Sequence, residues 1–221
     1  MSAKVVRRLA VFDCDGTLVD GQGAVCTAMD RAFAECGLSP PDHHQVRRIV
    51  GLSLPQALRL LAPATTEAQR EALDQTYRSA FRSAREAGEL AEPLFPGIAE
   101  LVGRLHAAGW TLGVATGKSD RGLEHCLAMH GLSAHFATLQ TADRHPSKPH
   151  PAMLQAALAE TGAAPGEAVM IGDTAYDIEM ARAAGVRAIG VDWGYHAASE
   201  LREAGAEAVA ATPAELWELL Q

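Results

Sequence analysis

Two carboxylates one residue apart, Asp13 and Asp15, follow directly on the apolar run Leu9-Ala10-Val11-Phe12. In an extended chain residues two apart face the same side, so both acids can converge on one point while Cys14 turns away. Converging carboxylates repel, and they need a cation or a shared proton between them. That suits a metal site or a nucleophile beside an acid/base; an Asx turn at Asp15-Gly16 that merely ends a strand is the competing account. A second acid pair, Asp173 and Asp177, is spaced to share a helix face, where it either caps the helix or holds a cation. Thr116-Gly117-Lys118 offers a hydroxyl and backbone N–H groups to an anion, or is an ordinary N-cap. Lys148, restrained by Pro149, adds a positive charge, or lies in a solvated loop. Only Lys4, Lys118 and Lys148 are lysines among the 19 lysines and arginines, so two of the three fall in these stretches.

The elements that must position these groups alternate. Apolar patterning predicts strands over Leu9 to Phe12, Trp110 to Ala115, Phe136 to Leu139, Ala168 to Ile171, Arg187 to Val191 and Ala208 to Ala210. Helices are expected over 98–108, 120–130, 152–161, 176–184, 199–204 and 213–220, most of them ended by glycine. Such βα repeats imply an α/β fold, a Rossmann-like parallel sheet covered on both faces, with ligands beyond the carboxyl ends of the strands. The polar residues above fall at those ends. Between Asp20 and Glu92 the pattern is helical only: Ala24 to Cys36, His43 to Leu61 with breaks near Gly51 and Pro55, and Glu67 to Ala87. Linkers at Val19 to Gly23 and Glu92 to Gly97 bound this stretch, which reads as an all-helical insertion over 21–94 in a core of 1–20 and 95–221.

Composition narrows the function classes. A net charge of −8 argues against nucleic acid as a partner, and no apolar run approaches the ~18 residues a membrane span needs. The basic residues Lys4, Arg7 and Arg8 precede an apolar stretch too short for a signal peptide. Cys14, Cys26, Cys36 and Cys126 lack CxxC spacing, so reduced thiols and a cytoplasmic setting are expected.

The ordered set Asp13-x-Asp15-Gly16-Thr17, Thr116-Gly117-Lys118, Lys148-Pro149-x-Pro151 and Gly172-Asp173-Thr174-x-x-Asp177 resembles the haloacid dehalogenase superfamily of phosphotransferases. The resemblance runs from about Leu9 to Tyr195, and the insertion looks like the helical cap of phosphoglycolate phosphatase-like members. It implies a magnesium-dependent hydrolase of a small phosphorylated metabolite, phosphoglycolate or a sugar phosphate, active as a monomer or homodimer. Asp13 would be the nucleophile, Asp15 the acid/base, and Lys148 the neutralising charge. Thr116 with the backbone of Gly117 and Lys118 would hold phosphoryl oxygens; Mg²⁺ would sit on Asp13, the Asp15 carbonyl and Asp173, supported by Asp177. Cap hinges at the two linkers are expected, with Arg47 and Arg48 as candidates for a second anionic group, or as parts of a solvated helix face.

Three departures from the family pattern stand out: Gly117 where asparagine is common, Gly21 where a small hydroxyl residue is usual, and Cys14 between the acids. Within the family, Asp15 disfavours dehalogenation. The insertion holds no lysine for the imine of a phosphonatase, and 24–36 holds no histidine of the kind a sugar phosphomutase uses. The phosphomutase stands as the alternative.

Overall fold

The computed structural model describes residues 8–221; Lys4 and Arg7 lie outside the described residues. Six parallel strands, β1 (Leu9–Phe12), β2 (Thr111–Thr116), β3 (Phe136–Thr141), β4 (Ala168–Gly172), β5 (Arg187–Val191) and β6 (Ala208–Ala210), form one sheet in the order β3-β2-β1-β4-β5-β6. Parallel neighbours require crossovers. These are the helices α5 (Ile98–Ala107), α6 (Asp120–Met129), α7 (Ala152–Thr161), α8 (Ala175–Ala183) and α9 (Ala198–Ala204), with α10 (Pro213–Leu219) closing the chain.

The two-residue period of β1 sorts its side chains. Ala10 and Phe12 enter one apolar layer with Leu101, Leu105 and Leu127; Leu9 and Val11 enter the other with Met153, Leu154 and Ile178. Every residue of β1 is fully buried, as a central parallel strand should be. Cys14 falls on the Phe12 side, 3.8 Å from the Sγ of Cys126.

Between β1 and β2 the chain makes α1 (Gln22–Glu35), α2 (His43–Arg48), α3 (Leu54–Leu61) and α4 (Glu67–Glu86). They bury a separate cluster that includes Met29, Phe33, Val46, Leu58 and Leu73, which Tyr195 of the core joins from below. Pro55, expected as an interruption, instead stands in the first turn of α3, where its missing N–H leaves no bond unmade. The break is 49–53, with Gly51 at φ +97°, a backbone conformation open to glycine. The two connections to this segment run side by side: Val19 and Leu94 form an antiparallel bridge, Asp20 N donates to Pro93 O at 2.8 Å, and Phe95 N to Leu18 O at 3.1 Å. Most other boundaries fall within a residue of the sequence reading; β3 runs two residues further, to Thr141.

Candidate active site

Asp13 is the first residue past β1, anchored by its N–H to Ile171 O of β4 at 2.9 Å. Its Oδ1 is held twice, by Lys148 Nζ at 2.9 Å and by Cys14 N–H at 2.6 Å. Its Oδ2 is buried and has no hydrogen-bond partner. Above that oxygen sits the 49–53 loop: a Cβ on Gly51 would lie 3.7 Å from it. Burial pushes the Asp13 carboxyl up to about 7, against the pull of Lys148.

Lys148 also donates to Asp177 Oδ1 at 2.6 Å, and no part of its side chain reaches solvent. Burial alone would lower its pKa; Asp13 and Asp177 outweigh that and raise it, so it stays charged. The other oxygen of Asp177 accepts from Thr174 N at 3.1 Å and Thr174 Oγ1 at 2.7 Å, the capping box of α8. Asp173 takes one bond per oxygen, from Thr17 Oγ1 at 2.9 Å and Tyr195 N at 2.9 Å. Gly16 and Gly194 press on it so closely that a Cβ on either would come within 2.2 Å of its atoms. Burial, then the like charges of Asp13 and Asp177, raise its pKa well above the ordinary value.

Asp13, Asp173 and Asp177 each offer a carboxylate oxygen, and these oxygens lie within 4.8 Å of one another. Ionised, three buried carboxylates face the single buried ammonium of Lys148 and leave an excess of two negative charges. A divalent cation fits that excess, and Asp13, Asp173 and Asp177 each have a carboxylate oxygen to offer it.

Asp15 does not share this point. β1 ends at Phe12, the alternation stops there, and the Asp15 carboxylate meets a lysine of its own, Lys118 Nζ at 3.0 Å. Burial raises the Asp15 pKa, with Lys118 opposing. Lys118 is also held by Glu92 Oε1 at 2.5 Å, and these acids keep it protonated in spite of its burial. The side chain of Lys118 therefore belongs to the acid/base candidate, while its N–H donates to Thr116 Oγ1 at 3.2 Å.

Arg47 and Arg48 are not brought to the site. In the short α2, Arg47 folds back on its own helix, Nε to His43 O at 3.2 Å, and is exposed. Arg48 reaches away to Glu200 Oε2 of α9 at 2.6 Å. Sequence reasoning missed Glu92, an acid 2% exposed in a proline-rich linker, and His196, 3% exposed, which accepts from Ala175 N at 3.2 Å and pairs through Nε2 with Arg48 O at 3.1 Å. Burial lowers the His196 pKa and keeps the ring neutral for that pairing. The odd acid among apolar linker residues was a visible signal for Glu92; nothing local marked His196.

The departures acquire causes. A Cβ on Gly117 would lie 2.4 Å from Leu52 O and 2.8 Å from Gly51 O, so the 49–53 loop rests on a residue with no side chain. A Cβ on Gly21 would lie 2.3 Å from Asp15 Oδ1. The thiol of Cys14 is pushed up by its hydrogen bond with Cys126 and by burial, which makes it a poor nucleophile.

A parallel sheet whose strand ends collect three acids and a lysine around one point is the arrangement of a haloacid dehalogenase-like hydrolase. The model of that family matches residues 10–191, and the chain belongs to it. Among its relatives, the probable phosphatase IndB of Dickeya dadantii is 33% identical over 96% of this chain and 92% of its own. The phosphoglycolate phosphatase of Vibrio parahaemolyticus is 27% identical over 96% of each. The solved haloacid dehalogenase-like hydrolase SP0104 of Streptococcus pneumoniae superposes with TM-score 0.85 at 26% identity, covering 98% of this chain and 99% of its own. Among the described residues no helix is long and apolar enough to cross a membrane.

Proposed function

We propose that the chain hydrolyses a small phosphomonoester through a phosphoenzyme on Asp13. The observation that carries this is the asymmetry of Asp13: one oxygen is fixed by Lys148 and Cys14 N–H, the other is buried, partnerless and lies under the 49–53 loop. A held carboxylate with one free oxygen suits in-line attack, since phosphoryl transfer rests mainly on positioning and charge neutralisation. The names of the relatives, a probable phosphatase and a phosphoglycolate phosphatase, support the same reading.

In this reading Asp13 Oδ2 attacks phosphorus, the bond to the ester oxygen breaks, and Asp15 gives that oxygen a proton. Asp15 then takes a proton from water, which attacks the phosphorus, and the bond to Asp13 breaks to release inorganic phosphate. Lys148 offsets the charge gathered on Asp13, and Thr116 with the Gly117 backbone faces the phosphoryl oxygens. Asp13, Asp173 and the Asp15 carbonyl would hold Mg²⁺, with Asp177 in support, and the ion would supply charge neutralisation at the phosphoryl group. Asp177 ranks below Asp173 because Lys148 and Thr174 already engage both its oxygens with three bonds.

The helical segment acts as a cap that closes on the core. Ser53 N to Ser147 Oγ at 2.9 Å, Arg48 to Glu200, and Arg48 O to His196 support closure over Asp13. Hydrolysis is favoured over intramolecular transfer because α1 carries no histidine, and His43 is exposed with its Nε2 on Asp30 at 2.8 Å.

Phosphate release from a panel of small phosphate esters with Mg²⁺ tests the reading, with a sugar bisphosphate primer present and sugar phosphate isomers followed in parallel. Turnover is expected to vanish in Asp13→Asn; retention of more than about a hundredth of the rate would refute the nucleophile, since a lost covalent route costs several kcal/mol of barrier. Isomer conversion faster than phosphate release would favour the mutase.

A further inference from the structure

A cavity of about 150 Å³ opens from Asp15 and Lys118 and runs between α1 and α4. Its walls are Val25 and Met29 on one side and Tyr77, Phe81 and Leu90 on the other, and the rings of Tyr77 and Phe81 lie 5.0 Å apart, tilted by 41°. An ester oxygen protonated by Asp15 has this cavity in front of it, so the cavity takes whatever that oxygen carries. A two-carbon carboxylate there would leave its charge against hydrocarbon, which costs free energy unless a donor meets it.

Three cations line the cavity, and two are committed. Lys118 is held by Asp15 and Glu92; Arg78 is held by Asp74 at 2.5 Å and lies 3.8 Å from Asp143. Arg85, two turns beyond Tyr77 on α4, keeps a buried Nε with no hydrogen-bond partner. A buried N–H without an acceptor is a loss that a ligand can repair. The cavity thus has apolar side chains from both helices in its walls, with one unsatisfied cationic donor among them.

We infer that the alcohol half of the substrate is an apolar body of about ring size lying between α1 and α4, and that it bears an anionic acceptor for Arg85. This rests on the hydrolase reading above and names the substrate class within it. A glycolate-sized alcohol would leave the apolar walls unfilled.

Calorimetric binding to the Asp13→Asn protein with Mg²⁺ tests it with three probes: phosphoglycolate, phenyl phosphate and 4-carboxyphenyl phosphate. The carboxyphenyl ester is expected to bind at least about tenfold tighter than phosphoglycolate, and Arg85→Met is expected to erase most of its advantage over phenyl phosphate. Because Arg85 sits on the outer helix of the segment and is only half-buried, the variant should fold, which its circular dichroism would verify. Should Arg85→Met nonetheless unfold, Phe81→Ser serves instead and must weaken both aryl esters more than phosphoglycolate. Phosphoglycolate binding as tightly as the carboxyphenyl ester, or an unchanged aryl ratio in Arg85→Met, would overturn the inference. Steady-state turnover by the wild-type protein separates the two readings: aryl esters that bind as expected but release no phosphate would sink the hydrolase and leave the cavity assignment in place.

Discussion

Gly117→Ala should act as a wedge between cap and core. Its φ is not in the left-handed region, so an alanine meets no backbone strain, and the entire effect is contact. The new Cβ would lie 2.4 Å from Leu52 O and 2.8 Å from Gly51 O, against a lower limit near 3.0 Å for real contacts. Both neighbours are backbone atoms, so no side chain can swing aside. Overpacking of this kind costs about 1–3 kcal/mol, and here the cost falls on the closed arrangement alone because parting the loop from the core relieves it. The closed-to-open ratio should drop by about 5- to 150-fold, and with the free enzyme mainly open kcat/KM falls in proportion. Thermal stability should barely move, since parting the loop from the core relieves the contact without unpacking the apolar layers on the sheet. Steady-state kinetics beside a melting curve is the assay. A kcat/KM within about twofold of wild type would refute the claim that the 49–53 loop must rest on Gly117 for turnover, and a large loss of melting temperature would show that the cost lies in folding instead.

Chelation should abolish activity and Mg²⁺ should restore it, with Asp173→Asn raising the magnesium requirement more than Asp177→Asn; the reverse order, read from metal titrations, would overturn the ranking of ligands. Glu92→Gln should lower kcat by about tenfold, roughly 1.4 kcal/mol of barrier, with KM less affected, because Lys118 then answers to Asp15 alone and holds ionised the carboxyl that must give a proton. The Arg48–Glu200 tether should weaken in acid. Glu200 is held down to about 2 by its hydrogen bond with Arg48, so its contribution is present above the ordinary 4.5 and is lost as pH falls toward 2. The pair is about a third exposed, so less than about 1 kcal/mol is at stake, and the gap in melting temperature between wild type and Glu200→Gln should narrow below pH 4.5.

The sequence made the sheet and its chemical ends legible because each depends on local rules. A buried parallel strand is an apolar run, and β1 and β5 appear in the structure with the bounds their residues suggest. Asp13, Lys148, Asp173 and Asp177 stood out as polar residues at strand or helix ends, and the structure brings them together. What stayed hidden depends on pairs distant in the chain. Asp15 looked like a partner of Asp13 by alternation, yet its nearest cation is Lys118, more than a hundred residues on. Arg47 and Arg48 lie on a helix of six residues, too short for periodicity to say which way each side chain points. Gly117 and Gly21 read as losses of a side chain until the Leu52 carbonyl and the Asp15 carboxylate are seen to occupy that space.

The side-by-side connections at Val19 and Leu94 bear on how such a protein can change over generations. Asp20 and Pro93 are neighbours across one hydrogen bond, so everything between them could be exchanged for another segment, or for a tight turn, without moving β1 or β2. The apolar layers on the sheet draw no residue from α1 to α4. Two breakpoints in the gene therefore bracket most of the lining of the cavity, and leave outside them Asp13, Asp15, Lys148 and Asp173. Recombination at that one place can give a lineage a new choice of substrate while it inherits those four residues unaltered, provided the new segment again sets an acid beside Lys118 as Glu92 does.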